Sequence, residues 1–290
     1  MDTDKHQPGI VLMGTGTSIG VPVVGCDCEV CSSENPRNHR KRAGVLVRAP
    51  EGEFVIDTGP ELRLQLLESG ATMIRAAIYT HAHADHIMGL DDLRIFAFRL
   101  EKERIRTLEQ QAEEQGREFD ADSTEVESDI PLYCEQAVED SLRQTFQYAF
   151  ADRAKQSHRY AAPRLKFVRI SPGVPFDLLG QTVVPFRLHH GKLPILGFRI
   201  GNTALCTDVS TIPAESRDLL AGVDNLVIDA LRYEPHPTHL SVDQAVQWGR
   251  RLDAKRTILT HMSHELNYET LADELPDGAE PGWDGLELNV

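Results

Sequence analysis

The chain has 290 residues, 41% of them hydrophobic, with five cysteines and a formal net charge of −15 at pH 7. That length and apolar content suffice for one α/β domain with a sizeable core. There is no run of about eighteen apolar residues that would span a membrane, and the acidic balance disfavours a sequence-blind grip on nucleic acid, which needs a basic footprint.

The opening M-D-T-D-K-H-Q-P-G is polar and lacks a secretory apolar stretch, so the expected location is cytoplasmic. The glycines of G-T-G-T-S-I-G (14–20) fit neither the dinucleotide fingerprint, having one residue too many, nor the P-loop, having no Gly-Lys-Ser/Thr behind them. They are expected to let the backbone turn tightly after a first strand. G-C-D-C-E-V-C then brings Cys26, Cys28 and Cys31 onto one turn. In a reducing compartment such crowding reads as metal ligation rather than a disulfide framework, and three soft thiolates suit structural zinc that still needs a fourth ligand. Cys134 and Cys206 lie apart from this group and read as core residues.

Five short apolar runs end in a polar residue of ligand type: F-V-I-D at Asp57, A-A-I-Y-T-H at His81, A-L-C-T-D at Asp208, L-V-I-D at Asp229 and T-I-L-T-H at His261. Runs of this length and β-branched content read as buried strands, and an α/β sheet builds its sites along the rim where such strands end. Helices are predicted between them: over 59–70, where leucines recur at helical spacing before a glycine; from His86 through I-M-G-L-D-D-L-R-I-F-A-F; and from Ser241, whose S-V-D-Q has the form of a capping box. The whole chain, 1–290, is expected to be one domain. Residues 101–129 are almost wholly charged or polar and predict a solvated helix and loop. The insertion 101–160, which includes the aromatic T-F-Q-Y-A-F (145–150), is a candidate lid.

The densest signal is T-H-A-H-A-D-H (80–86). Neutral imidazoles and a carboxylate are what divalent zinc or manganese requires. The adjacent Asp85 and His86 must point away from the pair His81 and His83, so two ions at about 3.5–4 Å are the natural reading. The remaining ligands must come from afar, and His190, Asp208 and His261 are the candidates.

These residues carry a resemblance to the metallo-β-lactamase superfamily that extends over nearly the whole chain: D-T-G at Asp57, then H-A-H-A-D-H, then His190, Asp208 and His261 in order, and W-D-G-L-E-L (283–288) near the end. The resemblance implies an αββα sandwich with a dinuclear site on its rim. It assigns His81, His83 and His190 to one ion, Asp85, His86 and His261 to the other, and Asp208 to both. His189 rivals His190, which is preferred for its H-G-K-L context. Within the superfamily the chain is most similar to the cyclic-phosphate phosphodiesterases of the carbon–phosphorus lyase pathway, through G-T-G-T-S-I-G-V-P, the cysteine trio, H-G-K-L and L-T-H-M-S-H. That likeness makes His264 the fourth ligand of a structural zinc.

The expected reaction is hydrolysis of a small phosphate ester, cyclic ones included, by a metal-bridging hydroxide, since two divalent ions (Mn or Zn) bring a shared water to a pKa of about 7. His239 resembles the additional histidine of the superfamily's phosphodiesterases and is the candidate general acid, with His236 as its rival. Asp57 and Asp229 are expected to hold imidazoles in orientation. Three divalent ions with three thiolates would bring the charge to about −12, so an anionic substrate would depend on the local field of the ions, aided by Lys192 and Arg232. The expected partners are that substrate and a second copy of the chain in a homodimer. Alternatives are a tRNA 3′-processing endonuclease, which would need a basic arm where 101–129 is acidic, a thioester or lactone hydrolase, and a non-catalytic accessory protein of the same fold, which the intact histidine motif disfavours.

Overall fold

The computed structural model describes residues 8–120, 124, 126–151 and 162–290. Fourteen strands among these form two seven-stranded sheets. The first has the order β14-β1-β2-β3-β4-β5-β6, formed by Leu286–Asn289, Gly9–Gly14, Gly44–Ala49, Gly52–Ile56, Ile74–Ile78, Ile130–Cys134 and Leu165–Arg169. The second has the order β13-β12-β11-β10-β9-β8-β7, formed by Ala279–Pro281, Arg256–Thr260, Asn225–Asp229, Thr203–Cys206, Leu193–Ile200, Gln181–His190 and Phe176–Leu178.

Strand alternation explains the layering, because successive side chains point to opposite faces. Ile10 and Leu12 of β1 enter the core between the sheets with Phe198, Leu205, Val227 and Ile258. Val11 and Met13 point outward to the core beneath the helices α1 (Leu62–Glu68), α3 (Arg94–Glu114) and α4 (Gln136–Thr145). Leu226 and Ile228 likewise face α5 (Ala214–Leu220), α6 (Val242–Arg251) and α7 (Tyr268–Glu274). A sheet apolar on both faces must be covered on both, and the result is the expected αββα sandwich. Cys134 and Cys206 are buried in the two outer cores, as expected.

All five ligand-type residues stand at the ends of strands as read, Asp229 as the last residue of β11 and the others just beyond theirs. β3 and β4 run parallel, as do β10, β11 and β12, so their carboxyl ends share a rim within each sheet. Asp57, Asp208 and His261 each leave the strand with a positive φ of 65°, 55° and 58°, a left-handed conformation uncommon outside glycine. The capping box forms: Gln244 N donates to Ser241 Oγ and Ser241 N donates to Gln244 Oε1.

Two expectations need correction. The helix after His86 is broken into α2 (Ala84–Ile87), a 3-10 turn over Leu90–Leu93, and α3. A Cβ on Gly89 would lie 2.1 Å from the Gly59 carbonyl oxygen. At that close approach Gly89 N donates to Thr58 O and Thr58 N to His86 O, which takes backbone groups out of a continuous helix. Of the opening glycines, Gly20 turns the chain as expected, with a φ of 68° and its amide bonded to Thr17 O at 2.8 Å, whereas Gly14 and Gly16 serve close contact, since a Cβ on Gly14 would lie 2.0 Å from the Arg42 oxygen and one on Gly16 2.6 Å from that of Arg40. The expected solvated helix is α3, which reaches Glu114. The candidate lid over 101–160 falls partly on 121–123, 125 and 152–160, outside the described residues. Among the described residues no helix is long and apolar enough to cross a membrane.

Candidate metal centre

The rim gathers the expected donors around Asp208. Three groups of side chains have ligand atoms within 4.8 Å of one another: His81, His86 and Asp208; Asp85, Asp208 and His261; and His190, Asp208 and His239. Asp208 belongs to all three, as a carboxylate shared between two ions would. His83, the residue before α2, stands more exposed at the mouth, its ring centroid 4.5 Å from that of His81 and 5.2 Å from that of His190.

Four of the imidazoles share one orientation. His86 Nδ1 donates to Asp57 Oδ2 at 2.7 Å, His81 Nδ1 to Thr80 Oγ1 at 2.9 Å, His190 Nδ1 to the Thr238 carbonyl at 2.8 Å and His239 Nδ1 to Asp229 Oδ2 at 2.6 Å. Tying Nδ1 outward fixes the tautomer and leaves the Nε2 lone pair for the centre. Thr80 completes the support: its hydroxyl donates to Asp57 Oδ2 at 2.8 Å and its amide to Asp57 Oδ1 at 2.9 Å. Asp57 thus orients His86 directly and His81 through a hydroxyl. Its expected role has this geometry behind it, and so has that of Asp229.

Several buried nitrogens at the centre find no hydrogen-bond partner among the described residues: His81 Nε2, His86 Nε2 and both ring nitrogens of His261. Orphaned buried polar atoms are costly, and ligation of a divalent cation would satisfy them. The electrostatics point the same way. Burial, reinforced by His86, lowers His81 well below the ordinary imidazole range. Burial opposes ionisation of Asp208, but His261 and His86 outweigh it and hold the carboxyl well below its usual range. Burial would also raise Asp85, yet the adjacent His86 brings it down to about 2. For His86, burial is overcome by Asp208 and then Asp57, which hold the imidazole well above its ordinary value. A carboxylate-rich buried centre therefore attracts positive charge, which bound cations would supply in place of that proton.

The β8–β9 hairpin separates the two histidine rivals. His189 and His190 alternate on β8, and His190 is the one whose ring meets His81, His83 and His239. His239 lies just outside the N-terminus of α6, its ring 4.6 Å from His190 and 4.8 Å from His261. Burial pushes the Asp229 carboxyl well above the usual range, with His261 opposing it, and lowers His239. His236 lies outside, its ring tilted at 40° and 5.2 Å from that of His239, and its Nδ1 faces the amide and hydroxyl of Thr238. Arg232 is tied to its own loop through two of its five donors, Nε and Nη2, which bond the carbonyls of Glu234 and Pro235.

The cysteine site assembles as expected. Cys26, Cys28 and Cys31 Sγ lie 3.3, 3.5 and 3.4 Å from His264 Nδ1. Tetrahedral zinc with bonds of about 2.3 Å to sulfur and about 2.0 Å to nitrogen places such atoms roughly 3.5 Å apart, so the donor set fits zinc.

Residues 53–262 match the family model of the β-lactamase superfamily domain. The chain is 36% identical to a solved structure described as a new diphosphatase from the PhnP family, with a TM-score of 0.80 and 98% of each chain covered. It is 35% identical over 284 residues to an octanoyltransferase of Porphyromonas gingivalis, a match covering 97% of this chain but 51% of that protein, so the chain spans about half the length of this relative. It is 25% identical to a ribonuclease Z of Mycobacterium sp., with 87% of this chain and 83% of that protein covered. Zn(2+)-bound PqqB from Methylobacterium extorquens, 17% identical with a TM-score of 0.71 over 97% of this chain and 100% of that chain, shares the fold.

Proposed function

The chain belongs to the β-lactamase superfamily and, within it, to the PhnP family, and from that membership we propose that it is a metal-dependent phosphodiesterase hydrolysing small phosphate esters, cyclic ones among them. His81, His83 and His190 would hold one divalent ion and Asp85, His86 and His261 the other, with Asp208 shared. Bound there, manganese or zinc supplies an acidified water and neutralises charge on the phosphoryl group. The chain's own contribution is orientation and a proton.

The observation that carries this reading is the Asp229–His239 pair beside Asp208. Phosphoryl transfer needs a proton for the departing oxygen, and an imidazole braced at Nδ1 by a buried carboxyl group can deliver one once Nε2 has taken up a proton and the ring is an imidazolium. His239 is accordingly the proton donor, in preference to His236, whose Nδ1 has only the amide and hydroxyl of Thr238 beside it. Burial of Asp229 keeps water from competing for its bond to His239.

The test is hydrolysis of bis(4-nitrophenyl) phosphate and 2′,3′-cyclic AMP by manganese- or zinc-loaded protein. Turnover of a diester by the wild type, abolished by Asp208→Ala, is the expected result; equal turnover by the variant defeats the scheme. A thioester or lactone hydrolase is the second reading, favoured by the octanoyltransferase name of the Porphyromonas relative. Turnover of an octanoyl thioester and of no phosphodiester would select it. The ribonuclease reading, suggested by the Mycobacterium relative, sits poorly with the net charge of −15 and is checked by a gel shift with tRNA at moderate salt. Metal analysis finding only the cysteine-bound zinc would favour an accessory role.

A further inference from the structure

His261 differs from the other imidazoles buried at the centre. His81, His86, His190 and His239 are each tethered at Nδ1, whereas neither ring nitrogen of His261 has a hydrogen-bond partner among the described residues. With no hydrogen bond to aim it, its direction is left to its backbone and to the stacked rings of His239 and His86. That backbone has a positive φ and continues directly into Met262, Ser263 and His264, the last being the imidazole of the cysteine site. One short segment thus supplies a donor to each site.

Arg40 grips this segment. Its side chain is 1% exposed, and its guanidinium donates to the Ser263 carbonyl at 3.0 Å, the Leu266 carbonyl at 2.6 Å and Asn38 Oδ1 at 3.3 Å. The two carbonyls flank His264. Asn38 Oδ1 also accepts from Tyr268 N at 2.8 Å, and Asn38 Nδ2 donates to Ser33 Oγ at 3.0 Å, two residues beyond Cys31. Arg40 further pairs through its backbone with Val21, which packs against Val30 and Cys31. Burial draws the guanidinium down to about 10, which leaves it charged at neutral pH. No carboxylate lies within ion-pair distance of it among the described residues. A buried, fork-shaped cation that no carboxylate touches, with Asp284 attracting it only from farther off, is expensive unless its geometry is used. Three thiolates around one divalent ion carry a net negative charge that would offset it.

We propose that Arg40 is a positioning residue that splints residues 261–266, so that the cysteine site and the dinuclear centre form one coupled unit in which filling the first sets the direction of His261 in the second. The inference rests on both donor sets holding ions, but not on which ester is hydrolysed.

Cobalt(II) reads both sites at once, because sulfur-to-cobalt charge transfer reports the cysteines while separate d–d bands report the imidazole–carboxylate centre. The full chain, as wild type, Arg40→Lys and Cys28→Ser, is titrated with cobalt. In Arg40→Lys the charge-transfer band is expected to persist while cobalt affinity at the dinuclear centre falls about tenfold or more, the range seen when support of a ligand is removed, with altered d–d bands. Cys28→Ser, which leaves Arg40 intact, is expected to weaken the dinuclear centre in the same way. Wild-type affinity and d–d bands in Cys28→Ser overturn the coupling even if Arg40→Lys fails to fold. A loss of thermal stability in Arg40→Lys without any spectral change overturns the positioning role. Wild-type protein that takes up no cobalt overturns both the metal assignment and this inference, whereas uptake without phosphodiester turnover leaves the inference standing and removes only the proposed reaction.

Discussion

Asp57 and His86 stand 29 residues apart in sequence yet share a 2.7 Å hydrogen bond between buried side chains. The same carboxylate takes the amide and hydroxyl of Thr80, whose hydroxyl accepts from His81. One side chain therefore fixes two imidazoles. Asp57→Ala leaves the His86 Nδ1–H and two Thr80 donors unpaired in a dry site. The expected result is a loss of roughly 3–5 kcal/mol of folding stability, as when one partner of a buried ion pair is removed. Metal affinity should fall roughly 10–100-fold. Denaturant melts and metal titrations measure the two effects separately, and unchanged metal affinity would contradict the orienting role.

The Asp229–His239 bond, at 2.6 Å, predicts a different kind of loss. Asp229→Asn keeps the volume but presents an amide that can donate to Nδ1, which favours the opposite tautomer. Nδ1 then accepts instead of donating, the imidazolium that would give its Nε2 proton loses its support, and kcat should fall roughly 10²–10⁴-fold, the scale of general acid–base catalysis. Metal content should stay near that of the wild type. An equal fall with metal lost would make Asp229 a structural support of the centre instead.

Filling of the cysteine site should release protons. The Cys31 backbone amide, acting against burial, brings the Cys28 thiol down to about 6, while burial pushes Cys31 up to about 11. At pH 7 the ion-free protein therefore holds Cys28 largely as thiolate and Cys31 as thiol. Zinc binds thiolates, so its uptake expels the Cys31 proton. Affinity accordingly rises with pH below about 11, by roughly tenfold per pH unit for each proton released. Zinc added to weakly buffered protein with a pH indicator gives the count directly. Cys31→Ser should release fewer protons, and an absence of proton release at pH 7 would show that the thiol was already ionised.

What could be read without the structure follows from how local each signal is. Strand ends at Asp57, Asp208, Asp229 and His261 were legible because apolar run and ligand lie side by side. The capping box at Ser241 was legible because its two partners are three residues apart. The break at Gly89 was not, since Ile87, Leu90 and Leu93 keep helical spacing through it and the interruption comes from the Gly59 backbone. Thr80 stood inside the histidine motif but had no assigned part, because a hydroxyl's partner is set by the fold. Arg40, within N-H-R-K-R, reads as surface charge, and its use appears only when Ser263 and Leu266 are brought against it. Arg232 is another case: the two donors it spends on the carbonyls of Glu234 and Pro235 are set by the path of its loop.

Gly249 tests packing away from the chemistry. It lies in α6 where that helix meets β12, and a Cβ there would stand 1.9 Å from Thr257 Oγ1 and 3.1 Å from its Cγ2. Thr257 is buried on the strand, so turning its side chain exchanges one clash for the other. Replacing glycine by alanine within a helix normally gains about 1 kcal/mol, but overpacking costs about 1–3 kcal/mol, and here the clash is expected to win. Gly249→Ala should therefore destabilise the protein. In a Thr257→Ala background the obstacle is gone, and the same change should become neutral or stabilising. A double-mutant cycle of denaturation midpoints measures the coupling, and Gly249→Ala stabilising the wild-type background would show that α6 can lift from the sheet at little cost.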